Sequence, residues 1–475
     1  MMLPSSADVL ILGAGLAGLR AGLSCLEAAP GLKVVVASLT DGPSGSSFAN
    51  GNDALGIHAC QSDTEREAYV REVLALNRGA LLSETLLSIQ AEEGEARLRD
   101  LTTLGLSFIR DESGALMPHS SCFSPHSRRA FIFTRLADAY RRFRDRLDSL
   151  GCAFAHGWMP ARILGNPVSG VLFIPAGGGA PTTVRARAVV AALGGPSRLF
   201  AHTMAGPGVP GYGQGLLARA GARMANQGYL QYMWGSVPGK RFWMPAETGS
   251  GGWTILMPEG SDRPGALVRM EDMVPGLAVL AASRAGHCPY GYGLEDAAID
   301  HALLRGLGGD GVVTVVRPDG SRHRIAPMAH ASNGGAVIDG NAETSVPGLL
   351  ACGECATGMH GANRLGGCMV LATQVFGHRA GLRAAELALD AGSEPSGDGN
   401  DEGPEGICED AGERREGLRR LAEGMSLHAV PGRRPGRRAF AAEMESRRDI
   451  ARDWFLSLCL ETTSGILAGM AYGAY

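Results

Sequence analysis

The chain has 475 residues, 45% of them hydrophobic, which is too long for one hydrophobic core and too apolar for a disordered polymer. Its 44 basic and 48 acidic residues leave a net charge of −4, so nucleic acid is not expected as a partner. The 69 glycines follow no triplet period, which excludes a collagen-like fibre and points to tight turns and close backbone approach to a ligand.

Residues 8–12 (DVLIL) read as a short buried strand. Residues 13–18 (GAGLAG) follow, then a helical run to Ala28 and a second strand at 33–37 (KVVVA). This is a β-α-β unit in about 30 residues. Residues 61–150 carry mostly helical spacing. Residues 189–193 read as another strand, ending in Gly194 and Gly195. Residues 229–324 are irregular and rich in Trp, Pro and Gly, consistent with a separate lobe. A late strand at 349–352 precedes Gly353 and Glu354, and 366–387 read as a helix.

Residues 391–410 are acidic, rich in Gly, Pro and Ser and poor in bulky apolar side chains, which is linker composition. Helical signals then run through 418–475, broken by the basic stretch 431–438 (PGRRPGRR), read as a solvated loop. The first seven residues show neither a basic nor an apolar signal region, and no purely apolar run of about 18 residues occurs. No transmembrane segment is expected, and the cytoplasm is the default location. Of ten cysteines only Cys352 and Cys355 make a C-x-x-C pair, too few for an iron–sulfur or zinc ladder. With Cys368 they read as small core fillers.

The G-x-G-x-x-G at 13–18 stands between a strand and a helix, the context in which it binds a dinucleotide. Gly13 permits the tight turn, Gly15 lets backbone approach a pyrophosphate, and Gly18 lets helix and strand pack. The helix N-terminus offers free N–H groups to phosphate. Where an acid would hold the ribose at the end of the second strand stands Ser38, which argues mildly against NAD and leaves FAD.

Four segments together carry a family resemblance. Residues 34–52 (VVVASLTDGPSGSSFANGN), 191–195 (AALGG), 330–335 (HASNGG) and 347–367 (PGLLACGECATGMHGANRLGG) resemble, in order, the flavin-contacting segments of the fumarate reductase, succinate dehydrogenase and L-aspartate oxidase flavoproteins, and L-aspartate oxidase most closely in pattern. The resemblance implies an α/β fold: a Rossmann-type FAD-binding domain in two sequence segments (1–228 and 327–390), an inserted α+β capping domain (229–326), a linker (391–417) and a short helical C-terminal region (418–475). It implies an FAD-dependent oxidoreductase that passes hydride between flavin N5 and a carboxylate-bearing molecule of dicarboxylate or L-aspartate type. It assigns Gly13, Ala14, Gly15, Ala17, Gly18, Ser38, Ser46, Ser47, Asn50, Gly51, Gly194, Gly353, Glu354, Arg364 and Gly367 to the cofactor, with Glu354 on a ribityl hydroxyl. Arg364 would clamp a substrate carboxylate and His330 would hydrogen-bond one. FAD is expected to be noncovalent, because the loop 43–50 has no histidine and His58 is too far along the chain.

In places the pattern departs from the family. Two registers compete for the proton-carrying arginine: matching 298–301 (AIDH) puts Tyr292 there, and matching 282–284 (ASR) puts Arg284 there. Met233 stands where the family has a carboxylate-binding histidine, within 226–235 (NQGYLQYMWG). His126 to Arg129 resembles an H-S-R-R segment at the active site or a subunit contact, and His360 reads as orienting its loop. These departures support an alternative, a flavin-bearing subunit of a larger redox complex without a dicarboxylate substrate of its own. The electron acceptor is left open among a quinone, oxygen, fumarate and a redox partner protein.

Overall fold

The computed structural model describes residues 3–390, 408–432 and 436–472. Its central sheet has five parallel strands in the order Ala153–His156, Val34–Ser38, Ser6–Leu12, Thr182–Ala191 and Leu349–Ala351. The first half of Thr182–Ala191 also pairs with Gly170–Pro175, which in turn pairs with Trp158–Leu164, both antiparallel. Val9 to Leu12 and Val34 to Val36 are fully buried, as parallel strands covered on both faces must be. Their carboxyl ends, where a doubly wound sheet binds its ligand, all open on one side.

Helix Leu16–Ala28 follows the first strand, and helix Cys368–Asp390 follows the late strand Leu349–Ala351. The two pack closely because glycines stand where their backbones meet. A Cβ on Gly377 would come within 2.8 Å of Ala17 O, and one on Gly381 would overlap Ala21 O. The amino and late segments of the domain are thus clamped together across 350 residues of chain.

Between helices Asp63–Ala75, Glu84–Thr103 and Leu136–Ser149 the chain forms a small antiparallel sheet of Ala54–His58, Ala130–Thr134 and two two-residue strands. The reading of 61–150 as mostly helical therefore misses a strand, Ala130–Thr134, whose five residues are too few to outweigh the helices on either side. The stretch 229–324, read as irregular, carries a five-stranded antiparallel sheet: Leu230–Ser236, Arg322–Ser332, Val313–Val316, Thr254–Leu256 and Leu267–Arg269. Three of these strands have only three or four residues, below what alternation can register. With helices Leu277–Arg284 and Ala297–Arg305 they form the inserted α+β lobe.

The C-terminal part is helical: Ala411–His428, Arg437–Ile450 and Trp454–Tyr472. The first helix begins within the expected linker, because Asp410 caps it by accepting the Glu413 N–H at 2.8 Å. The rest of that linker, 391–407, lies outside the described residues, as do 433–435 of the basic stretch. Arg437 of that stretch donates to the Val430 and Gly432 carbonyls at 2.6 and 2.7 Å. The last helix docks on Gly213–Arg219, where Gly215 N–H donates to Thr462 Oγ1 at 2.9 Å and the Tyr212 ring meets Trp454 and Phe455 edge-on. Among the described residues no helix is long and apolar enough to cross a membrane.

The helix seam is testable. Gly381→Val should lower stability by about 1–3 kcal/mol through overpacking, read as a lower urea midpoint. A midpoint equal to that of the parent protein would show that the seam is not close-packed.

Candidate active site

A cleft of about 1520 Å³, its mouth included, runs across the carboxyl ends of the central strands. At one end the turn after the first strand forms its floor. Gly13 has φ +112°, and a Cβ there would overlap Ala192 O. Gly15 caps helix Leu16–Ala28 without a side chain of its own, and no acid stands in the first turn. Ala14, Gly15, Ala17, Ser46 and Ser47 line the same space, and Ser47 Oγ accepts the Leu16 N–H at 3.3 Å. A bare helix N-terminus facing a cleft, approached by backbone without side chains, suits a pyrophosphate. Ser38 also lines the cleft, but its hydroxyl donates to Thr40 O at 2.7 Å. Gly18 packs beneath the turn rather than in the cleft, against Gly13. Asn50 and Gly51 are not in the lining: Asn50 turns back to donate to Ala54 O at 3.3 Å, and Gly51 is exposed.

In the middle of the cleft are Gly194, Gly353, Glu354 and Gly367. Glu354 is 8% exposed, and its Oε1 accepts the Ser332 N–H at 2.8 Å. The carboxylate lies against Gly195, where any Cβ would overlap it. Burial pushes its pKa up to about 7. A buried carboxyl with only the Ser332 and Gly195 backbone donors retains acceptor capacity for ligand hydroxyls. Gly366 and Gly367 precede helix Cys368–Asp390 and bring a second helix N-terminus to the lining. The bare turn, the two helix starts and the buried acceptor between them fit a dinucleotide with a polyol linker, as FAD is.

The far end is walled by Cys122, Gln231, Met233, Pro289, His330 and Arg364. Arg364 is 8% exposed. Its Nε donates to Asn333 Oδ1 at 3.2 Å, and its Nη2 donates to Gln231 Oε1. Among the described residues no carboxylate lies in ion-pair range of it. Burial lowers its pKa, with no effect on its charge at neutral pH. His330 is half-buried beside it, and neither ring nitrogen bonds a described protein group. Burial and then the Arg364 charge push its pKa down to about 4, so it is neutral at physiological pH.

Both residues weighed as proton carriers stand off the cleft. Arg284 is fully buried in the lobe. Its Nε and Nη2 donate to Asp300 at 2.9 and 3.2 Å, and its other contacts are the His287 and Cys288 carbonyls and His287 Nδ1. Asp300 also accepts the Trp234 indole N–H at 2.8 Å. Arg284 is thus a charge-paired centre of a packed network and is not in the cleft lining. Tyr292 donates its hydroxyl to Leu230 O at 2.5 Å, and its own N–H goes to Asn363 Oδ1. Neither lines the cleft, and each side chain bonds within the lobe.

Other singled-out residues also take structural places. Arg129 is buried and paired with Glu72, whereas His126 is exposed. His58 and His360 are buried off the cleft, and burial pushes His58 down to about 3. Cys352, Cys355 and Cys368 are buried free thiols, and Cys355 donates to Ala191 O at 3.2 Å. No group of three or more potential metal ligands occurs among the described residues. The sequence reading passed over two wall residues. Gln231 had a signal, since it stands five residues after Asn226 in the same segment as Met233. Cys122 had none, being an isolated cysteine in a loop.

Comparison with known proteins gives the same reading of the cleft. The family described as FAD binding domain matches residues 8–284 and 297–370. L-aspartate oxidase of Mycobacterium leprae is 32% identical over 419 residues, covering 82% of this chain and 76% of that protein. The 8-methylmenaquinol:fumarate reductase flavoprotein subunit of Wolinella succinogenes is 27% identical over 424 residues, covering 82% and 66%. In fold, a quinol fumarate reductase structure from E. coli superposes with a TM-score of 0.72 at 20% identity, covering 98% of this chain and 88% of that one. The chain belongs to the FAD binding domain family and is an FAD-dependent oxidoreductase of the kind that includes L-aspartate oxidase and the fumarate reductase flavoproteins.

Proposed function

We propose that the chain transfers hydride between its flavin and a small carboxylate-bearing molecule held by Arg364 and His330. The observation that carries this reading is that buried Arg364 has no carboxylate in ion-pair range among the described residues and, of the carboxylates, feels only the charge of Glu354 from further off. A buried guanidinium without a carboxylate is costly unless a ligand supplies one. Asn333 and Gln231 fix its plane by taking Nε and Nη2, and Nη1 bonds no described protein group. That leaves a donor directed into the wall of the cleft. Neutral His330 adds a second donor without adding charge, so the site is matched to one formal negative charge at Arg364. The thioether of Met233 offers no donor for another carboxylate.

Bound FAD supplies the hydride acceptor or donor, and the redox chemistry is its own. Arg364 and His330 hold the carboxylate so that the adjacent carbon faces the middle of the cleft. In that position they stabilise the negative charge that develops beside it during transfer. Glu354 accepts from a ribityl hydroxyl and sets the depth of the cofactor. The attachment is noncovalent, since residues 43–50 contain no histidine and His58 is buried away from the lining. Fumarate, succinate and L-aspartate are the probes this reading favours. Electrons leave or enter through a quinone or a redox partner protein.

One observation favours a second reading, a flavin-bearing subunit without a dicarboxylate substrate: Arg284 and Tyr292 both face away from the cleft, as described above. One anaerobic experiment separates the two. Flavin bleached with just enough dithionite should regain its yellow band on addition of fumarate. A band that stays bleached with fumarate and other C4 dicarboxylates would favour the second reading. In the active case Arg364→Gln should slow reoxidation by about 100-fold at unchanged FAD content, and His330→Ala by about 10-fold. Acid precipitation should release the yellow colour from the polypeptide, and colour left in the pellet would refute noncovalent binding.

A further inference from the structure

Hydride transfer to or from a carbon beside a carboxylate needs a proton moved at the neighbouring atom. The lobe residues that could have moved it are engaged elsewhere. The wall of the cleft nevertheless carries a titratable side chain that the carboxylate site does not use. Cys122 sits in the turn at 121–124, opposite His330 and Arg364, and its carbonyl accepts the Gly366 N–H at 3.1 Å. Its sulfur accepts the backbone N–H of Cys288 at 3.3 Å, and the Cys288 thiol lies close enough to favour its ionised form.

The two cysteines belong to different parts of the fold. Cys122 is in the flavin-binding domain, and Cys288 follows helix Leu277–Arg284 of the inserted lobe. The seam between them is fixed on both sides. Phe123 N–H donates to Gly286 O at 3.1 Å, and the Phe123 ring stacks on His287 at 4.3 Å. Both cysteines are partly buried and free.

We propose that Cys122 is the proton carrier of the reaction, with Cys288 as the positioning residue that holds its thiolate. The proposal rests on the reading of Arg364 as the carboxylate site. In the reductive direction the hydride pair enters one carbon of a double bond. The π pair then takes the proton from the Cys122 S–H, which leaves a thiolate that solvent reprotonates at its half-exposed side. In the oxidative direction the thiolate removes the proton as the hydride departs. Beyond the flavin the step needs neither oxidant nor reductant.

The electrostatics agree with this placement. The groups facing the sulfur are Cys288 and His287 from the lobe and Arg364 from the segment before helix Cys368–Asp390. The donor contact from Cys288 outweighs burial, and the thiol comes down to about 6, while Cys288 is pushed up. A thiol in that range works in both directions near neutral pH. On the same wall His330 is neutral throughout, and Glu354 is held at Gly195 by the Ser332 N–H.

The test uses the holoenzyme, reduced anaerobically and reoxidised by fumarate at a series of pH values. The wild-type rate should fall as pH rises through about 6, since the acid form is the donor. C122S, with a hydroxyl that ionises far higher, should keep its FAD and its fumarate-induced flavin difference spectrum, yet lose about 100-fold in rate. C288A should keep its FAD and move the midpoint upward, toward the ordinary thiol value. Wild-type rates in C122S with an unchanged pH profile would overturn the proposal while leaving the carboxylate reading intact. A wild-type enzyme that ignores fumarate would sink the carboxylate reading, and iodoacetamide labelling of the holoprotein, read by peptide mass, then decides for Cys122. Labelling with a midpoint near 6 that rises in C288A supports the activated thiol, and an ordinary thiol midpoint in both proteins overturns it.

Discussion

The contact between helices Leu16–Ala28 and Cys368–Asp390 is the constraint from which the cleft follows. Each helix begins at the carboxyl end of a parallel strand, and each brings its N-terminus to the cleft. Glycines at 377 and 381 allow the backbones to touch, so the two N-termini are held at a fixed separation. Everything between them in sequence, the inserted lobe included, is carried on that frame. A pair of helix ends at fixed spacing is also a pair of fixed partial positive charges, suited to a ligand that is anionic at one end and gains negative charge at the other on reduction.

The inserted lobe solves a different problem. It must present a wall to the substrate while remaining rigid, and its largest fully buried side chain is an arginine. Arg284, Asp300 and the Trp234 indole make a closed hydrogen-bonded set at its centre. Removing one member of such a set leaves an uncompensated charge inside, so the network is a commitment of the lobe to one packing. The arginine of the A-S-R segment is a member of this network. Motif spacing carries the residue type, whereas side-chain direction depends on which partner lies inside the lobe.

Legibility in the sequence followed this division. The strand–turn–helix at 6–28 could be read because apolar strand, glycine turn and helical period are local features. The late strand and its helix could be read from the segment at 347–367 for the same reason. The lobe sheet could not, because its short strands pair across long sequence separations. The glycine turn at 13–18 and Glu354, His330 and Arg364 converge on one cleft, although the turn lies hundreds of residues before the other three. Asn50 and Gly51 fall outside it because their loop curls back on Ala54. Cys122 was illegible, since its chemistry comes from a backbone N–H and a thiol 166 residues further on.

The pressing of Glu354 onto Gly195 couples cofactor loading to protons. Burial outweighs the Ser332 and Gly195 backbone donors, and the carboxyl keeps its proton up to about 7. A ligand hydroxyl that donates to it favours the ionised form. Uptake of such a ligand therefore expels protons into solvent below that pH, and the empty protein discriminates against loading as its surroundings acidify. Cofactor occupancy becomes a proton-linked quantity, set by a single glycine that leaves the carboxyl room to be buried.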